Sequence, residues 1–370
     1  MRSPQTSARY LLAALAFASF GCGANTALPT PEATPYTEPT TLAFVHILGG
    51  GQLATYTVGP ANGLLSRTHV VDVPGSNHFL AATPEGRFVL VDFLPSGESQ
   101  PLLRRYAVQP AGGTVDLADQ QYSPPPADLA ATDGVVFVSY SAPGAHDPYL
   151  RMACFSLGAG GFLETKPVSY DPALGDSPWG LDFGGLLATA AGNPSLYRTT
   201  QDGQGVRGFL VQARKWEVRL GPEVGRRIPS KQPAVSAEVV AGDVLVVASS
   251  GGSLTTFEPE WAAQRLETRA SVQAAGPLLA YAAGVLAVAS ADGRVEIYAI
   301  GAHGMPTLKK STRLSLAPVV SLGFHPSGRF LYVSGSTLAT YLVEADGSLR
   351  PYSETTATPG RLVVTLPPAP

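Results

Sequence analysis

From Asn77 to its last residues the chain repeats one unit: apolar run, turn, apolar run, loop, apolar run, turn, apolar run. The clearest copies are NHFLAATPEGRFVLVDF, Asn77 to Phe93, and VVSLGFHPSGRFLYVSGS, Val319 to Ser336. Each holds an alternating strand, a tight Pro-x-Gly-Arg turn and a second strand led by Phe. Recurrence at roughly 40–55 residues marks a repeat whose unit is one four-stranded sheet, unable to bury its faces alone. Sheets of this kind pack side by side around an axis, so the repeat predicts an all-β fold, a β-propeller. The 40 Gly and 33 Pro fall at turns between strand-like runs, as a turn-rich β fold requires.

Phasing from these copies gives six complete units. They begin at Asn77, near Ala127, at Pro178, near Pro233, near Gly276 and at Pro318. Asp133-Gly134, Gly242-Asp243, Asp292-Gly293 and Asp346-Gly347 supply turn signals within them. The unit from Pro178 carries extra material around Asn193 to Gly205, and Glu258 to Arg269 reads as a loop entering an outer strand. Two remnants lie outside the six. Thr41 to Val71 holds three strand-like runs and Pro359 to Pro367 holds one. Three plus one makes a seventh blade from the two chain ends, a latch that removes open sheet edges. Seven is therefore the expected count, with six or eight following if the Asn193 stretch is misread. Ala81, Ala82, Ala248 and Ala289 are small residues suited to inner strands, where the sheets converge.

The predicted domain spans residues 41–367. Ahead of it, residues 1–21 read as an export signal: Arg2 and Arg9 supply positive charge, and Tyr10 to Phe20 form an apolar stretch too short to span a bilayer. Ser19-Phe20-Gly21-Cys22 resembles the lipobox of bacterial lipoproteins, making Cys22 the expected lipid attachment point. Ordinary cleavage after Ala16-Phe17-Ala18 is the competing reading. Residues 22–40, rich in Pro, Thr and Ala, read as a solvated tether. Gly23 in place of Asp favours the outer membrane over the inner one. The expected address is the bacterial cell envelope. Cys154, the other cysteine, reads as a buried small hydrophobe.

Formal charge is −3, and loss of Arg2 and Arg9 with the leader takes it to −5, since the leader holds no acidic residue. No basic block exists that tracks a phosphate backbone, so nucleic acid is not an expected partner. The six His show no metal-ligand spacing, and no metal or cofactor is expected. Gly-x-Ser-x-Gly is absent, no glycine-rich loop meets a helix, and three Trp are too few for a quinoprotein propeller.

The unit from His78 through Pro84-Glu85-Gly86-Arg87-Phe88, repeated as His325-Pro326-Ser327-Gly328-Arg329-Phe330, resembles the blade motif of the lactonase-type seven-bladed propellers. That family includes 6-phosphogluconolactonase and carboxymuconate-lactonising enzymes, and the motif is shared with YVTN-type surface repeats. The resemblance covers nearly the whole exported body. It implies a propeller and, for activity, lactone hydrolysis. The sequence departs from the family pattern where Asn77 stands beside His78 in place of a doubled His, and where Asp92 falls one residue early for the family's loop Asp.

A lactonase needs a group that activates water and a cation that steadies the oxyanion. His78, just ahead of an inner strand, is the candidate base, with Arg104, Arg151 or Arg198 as candidate cations. Asn77, Asp92, Asp128, Trp179 and Asp182 are the candidate ligand-face residues. His325 is assigned to its turn. The departures from the pattern favour a monomeric, non-catalytic platform that binds an envelope protein or a polysaccharide. The alternative is hydrolysis of a sugar-derived or carboxylated lactone with His78 as general base.

Overall fold

A computed structural model describes residues 43–367, apart from 60–61, 74, 84, 99–100, 122–125, 133, 141–151, 158–162, 167, 171–182, 191–192, 201–203, 214–217, 230–231 and 241–242. The signal, Cys22 and the tether lie outside those residues, as do Arg151, Trp179 and Asp182.

Seven four-stranded antiparallel blades follow one another along the chain. Blades 2 to 7 span residues 76–121, 126–166, 183–227, 234–273, 278–313 and 321–355. Blade 1 is built from both ends. Its three outer strands come from residues 43–72, and its innermost strand is Arg361–Thr365. The innermost strands of the other blades are Ser76–Ala82, Pro126–Thr132, Phe183–Ala190, Ala234–Val240, Leu278–Ala282 and Ser321–Phe324. Each of the seven contacts the next, and the last contacts the first, so they form a closed ring around a central tunnel.

Burial explains the sequence pattern. The second strands, Phe88–Leu94 and Val244–Ser249 among them, are buried almost throughout, because neighbouring blades cover both faces. Such strands read as unbroken apolar runs. The core is accordingly a set of layers between blades, for example Phe44, Val89, Phe93 and Tyr106 between blades 1 and 2. Outer strands read as mostly polar, as in Pro306–Arg313, whose edge carries exposed Lys309 and Lys310. Charged edges of this kind resist strand addition from another molecule.

The two Pro-x-Gly-Arg turns share one geometry. Gly86 N donates to Thr83 O at 2.8 Å, and Gly328 N donates to His325 O at 2.8 Å, with both glycines at φ +71°. His325 belongs to its turn, where Nδ1 pairs with Ser327 Oγ at 2.8 Å. Cys154 is buried in the layer between blades 3 and 4, and burial pushes its thiol up to about 12.

The latch has a polar centre. His46, in blade 1's second strand, is wholly buried and pairs through Nδ1 with Thr55 Oγ1 and through Nε2 with Thr365 Oγ1, both at 3.0 Å. Thr365 lies in the closing strand, so one imidazole spans three strands of the sheet. With no counter-charge beside it, burial lowers its pKa to about 3, and it is neutral in the folded protein.

Three readings of the sequence are corrected, and one pairing is added. Asn193–Thr200 is no insertion but the second strand of blade 4. Glu258 to Arg269 is not a loop: strands Ser253–Glu260 and Arg265–Gln273 run through it, joined at a single helical turn, Trp261–Ala263. Ala248 and Ala289 lie on second strands, where blades pack face to face, not on the innermost ones. Val168–Tyr170 leaves blade 3 to pair in parallel with Val218–Leu220 of blade 4, whose outer strand also meets blade 5 at Gly225 and Arg265. Both additions cover edge that would otherwise be open.

Candidate functional site

Every inner strand enters from the loop that leaves the preceding blade, so all seven begin at the same end of the tunnel. That end is the mouth. The seven inner strands together carry five ionisable side chains: His78, Asp128, Glu238, Tyr281 and Arg361. The other residues of those strands are uncharged, mostly Ala, Leu, Val, Gly, Ser, Thr and Phe with Asn77 and Pro126, so these five are the ionisable groups the inner strands offer.

Arg361 opens the closing strand at the mouth. Its guanidinium carbon lies 4.4 Å from the centre of the Phe79 ring on blade 2. The side chain is solvent-exposed and makes no ion pair among the described residues. A guanidinium on an aromatic face keeps its donors free for an anion or a polarised carbonyl. Beside it opens a depression of about 350 Å³, lined by Gly49, Gly51, Gly75, Val320, Pro359 and Arg361 itself. Gly360 must be glycine for this loop to lie where it does, since a Cβ there would stand 2.0 Å from Leu48 O.

His78 sits in a β-bulge. The ladder between the first two strands of blade 2 shifts between Asn77 and Phe79, leaving His78 without an opposite residue. Asp92 holds this bulge. Its carboxylate is buried and accepts the Phe79 N–H at 2.6 Å, a donor the bulge displaces from the ladder. Blades 3 and 5 show the same one-residue shift near the mouth, at Pro126/Asp128 and Ala234/Ser236, and blade 4 a larger one at Phe183/Leu187. Bulges at corresponding places re-aim residues at a rim. Asp128 follows the bulge of blade 3, level with Phe79, and its Oδ1 accepts the Leu129 N–H at 2.9 Å.

Of the expected site residues, the backbone brings Asn77, His78 and Asp128 to the mouth. Asp92 lies just beneath them as a support. Arg104 is not at the mouth: it belongs to blade 2's third strand, over the Phe93 ring and 3.7 Å from Asp116. Arg198 is buried on the second strand of blade 4. Among the described residues the inner strands bring one cation to the mouth, Arg361, and sequence reading passed over it because the closing strand was treated only as a latch. The same reading missed Glu238, halfway down blade 5's inner strand. Burial raises its carboxyl to about 7. Tyr281 is tied to its own hairpin, its hydroxyl accepting the Gly284 N–H at 3.2 Å. Among the described residues no group of three His, Cys, Asp or Glu could hold a metal ion.

No protein-family profile and no curated relative matches the chain. Solved structures do. The periplasmic gluconolactonase of Pseudomonas aeruginosa superposes with a TM-score of 0.66 at 15% identity, over 89% of this chain and 100% of that one. A putative 6-phosphogluconolactonase of Bacteroides fragilis gives 0.66 at 15% identity, over 90% and 99%. Hsv2 of Kluyveromyces lactis gives 0.57 at 12% identity, over 85% and 95%. The chain therefore has the seven-bladed propeller fold, closed by its own last strand, that it shares with structures described as gluconolactonases and with others besides.

Proposed function

We propose that the protein is an envelope lactonase that opens a sugar-derived or carboxylated lactone at the tunnel mouth. The observation that carries this reading is Arg361 stacked on Phe79, one strand from the bulged His78, in a ring wall almost without other charge. In the proposed step His78 takes a proton from water, whose oxygen attacks the lactone carbonyl carbon. Arg361 steadies the oxyanion that forms. The ring C–O bond then breaks, and the departing alkoxide takes its proton from the imidazolium. The product is a hydroxy acid, whose carboxyl proton passes to solvent. Asp128 borders the same mouth and orients the histidine or the substrate hydroxyls.

The names of the P. aeruginosa and B. fragilis neighbours support hydrolysis over a non-catalytic platform for an envelope protein or polysaccharide. Export and lipid attachment at Cys22 belong to the same proposal, supported by the leader in the sequence and by the periplasmic address in one neighbour's name. The test is turnover of D-glucono-1,5-lactone and its 6-phosphate, followed by acid release above the spontaneous rate. Each of His78→Ala and Arg361→Ala is expected to lower kcat/KM by about 100-fold or more. Wild-type protein no faster than buffer with both substrates sinks the lactonase and returns the platform to first place.

A further inference from the structure

The chain enters and leaves the ring at the end away from the mouth. Blade 1's ladder pairs Leu48 with Arg361 at the mouth and Phe44 with Thr365 at the far end, so Ala43 and Leu366 both lie there. Residues 22–42, the expected tether, span at most roughly 75 Å when fully extended. A bilayer holding an acyl chain on Cys22 therefore stays within that reach of Ala43. The outer hairpins at this far end have apolar tips. Among the described residues, blades 1, 2, 5 and 6 place exposed Leu64, Ala111, Ala262 and Met305 there, and blade 7 places Ala345 beside Asp346. Leu64 is 41% exposed, Met305 48% and Leu366 37%. Hairpin tips ordinarily hold Gly, Asn, Asp, Ser or Pro, which suit both the turn and water. An exposed Leu or Met gains nothing from either. The hairpins at the mouth end follow the ordinary rule, with Glu98, Ser250, Asp292 and Ser336 exposed at their tips.

Charges at the far end offset one another. Glu260 pairs with Arg265, Glu344 with Arg350 and Glu258 with His303. Such a surface has no polybasic cluster to draw it to a strongly anionic membrane. Its apolar tips suit the boundary between headgroups and acyl chains, where contact strengthens with the apolar area covered. We infer that the end of the ring opposite the mouth is a lipid-contact face, which seats the acylated protein on the bilayer with its tunnel mouth turned to the aqueous side. The inference rests on acyl attachment at Cys22, part of the reading above, and not on lactone chemistry. Two features of different kinds converge on it: the end at which the chain enters, and the reversal of hairpin-tip chemistry between the two ends. A ligand then reaches Arg361 from solution and not from the membrane.

The experiment places a fluorescent thiol label at one position at a time in the full chain, made in bacteria with its own leader. The acylated protein is put into vesicles of phosphatidylethanolamine and phosphatidylglycerol that carry a nitroxide on some headgroups. Cys154 is buried and resists the label. Labels at Leu64→Cys and Met305→Cys are expected to be quenched about twofold or more, and labels at Glu98→Cys and Ser336→Cys to be unchanged. A label at Ala111→Cys is expected to lose most of its quenching when Leu64→Ser, Met305→Ser and Leu366→Ser are combined in the same acylated chain. Equal quenching at the two ends, or stronger quenching at 98 and 336, overturns the lipid-contact face while acylation stands. Undiminished quenching at 111 in the triple variant overturns the role of the apolar tips. A chain whose mass shows no acyl group at Cys22 removes the anchor and this face together. Lactone turnover decides none of these outcomes.

Discussion

Acid should loosen the ring at its latch, and His46 sets how much. In the folded protein its imidazole titrates at about 3, against 6.5 for a free histidine. Between those values the unfolded chain binds a proton that the folded one refuses. Stability contributed by this site is therefore complete above pH 6.5 and is lost as pH falls toward 3. At about 1.4 kcal/mol per unit, the whole window is worth on the order of 5 kcal/mol, and the interval from pH 6.5 to 4.5 about 2.7 kcal/mol. Against a typical domain stability of about 5–15 kcal/mol, that is enough to decide whether blade 1 stays closed. The measurement is urea unfolding of wild-type protein and His46→Leu at pH 7.5, 5.5 and 4.5. At pH 7.5 the variant is the less stable by about 1–3 kcal/mol, since Thr55 and Thr365 lose their shared partner. The gap should shrink by about 2–3 kcal/mol by pH 4.5, and near that pH the order can invert. Parallel stability lines for the two proteins would refute the assignment of a neutral, proton-refusing histidine to the latch.

Three other outcomes follow from geometry. Glu238→Gln should stabilise the protein by about 1–3 kcal/mol at pH 8 and by nothing at pH 4: burial raises the folded carboxyl to about 7, so its ionisation penalty enters as pH rises from 4.5, and its partial exposure moderates it. Asp92→Ala leaves the Phe79 N–H buried without its acceptor, and should cost about 1–3 kcal/mol in thermal unfolding while weakening turnover through the misaimed bulge. Gly86→Ala should cost far more than Gly134→Ala. Both residues have positive φ, worth about 1 kcal/mol of strain, but a Cβ at Gly86 stands 2.1 Å from Leu366 O while one at Gly134 meets nothing within 4 Å. Equal melting temperatures for those two variants would refute the packing argument.

The ring was legible because most blades carry an unbroken apolar second strand and two of them, blades 2 and 7, carry the Pro-x-Gly-Arg turn as well. NHFLAATPEGRFVLVDF and VVSLGFHPSGRFLYVSGS fold as the alternation says they should, down to matching hydrogen bonds at Gly86 and Gly328. Where the pattern weakened, reading failed for identifiable reasons. Asn193–Thr200 is short of apolar residues for a second strand because Arg198 and Thr199 are buried in it. Glu258 to Arg269 looked like a loop because a hairpin of charged outer strands lacks alternation. The candidate site was half visible. His78 and Asp128 could be found, since the start of an inner strand is a fixed place in each repeat. Arg361 and Glu238 could not be singled out by residue type, and what marks them is position. A search for ionisable residues on the seven inner strands alone would have found both.

The closing strand has a consequence for biosynthesis. Residues 361–365 leave the ribosome after every other strand of the ring, yet they occupy its innermost place, against the first three strands made. Until they arrive, Ala43–Gly49 keeps a bare edge, and the circle is missing its axial member. The same residues deliver Arg361 to the mouth. Translation that stops short thus yields neither a sealed ring nor a rim that carries Arg361, and both are completed in one terminal event.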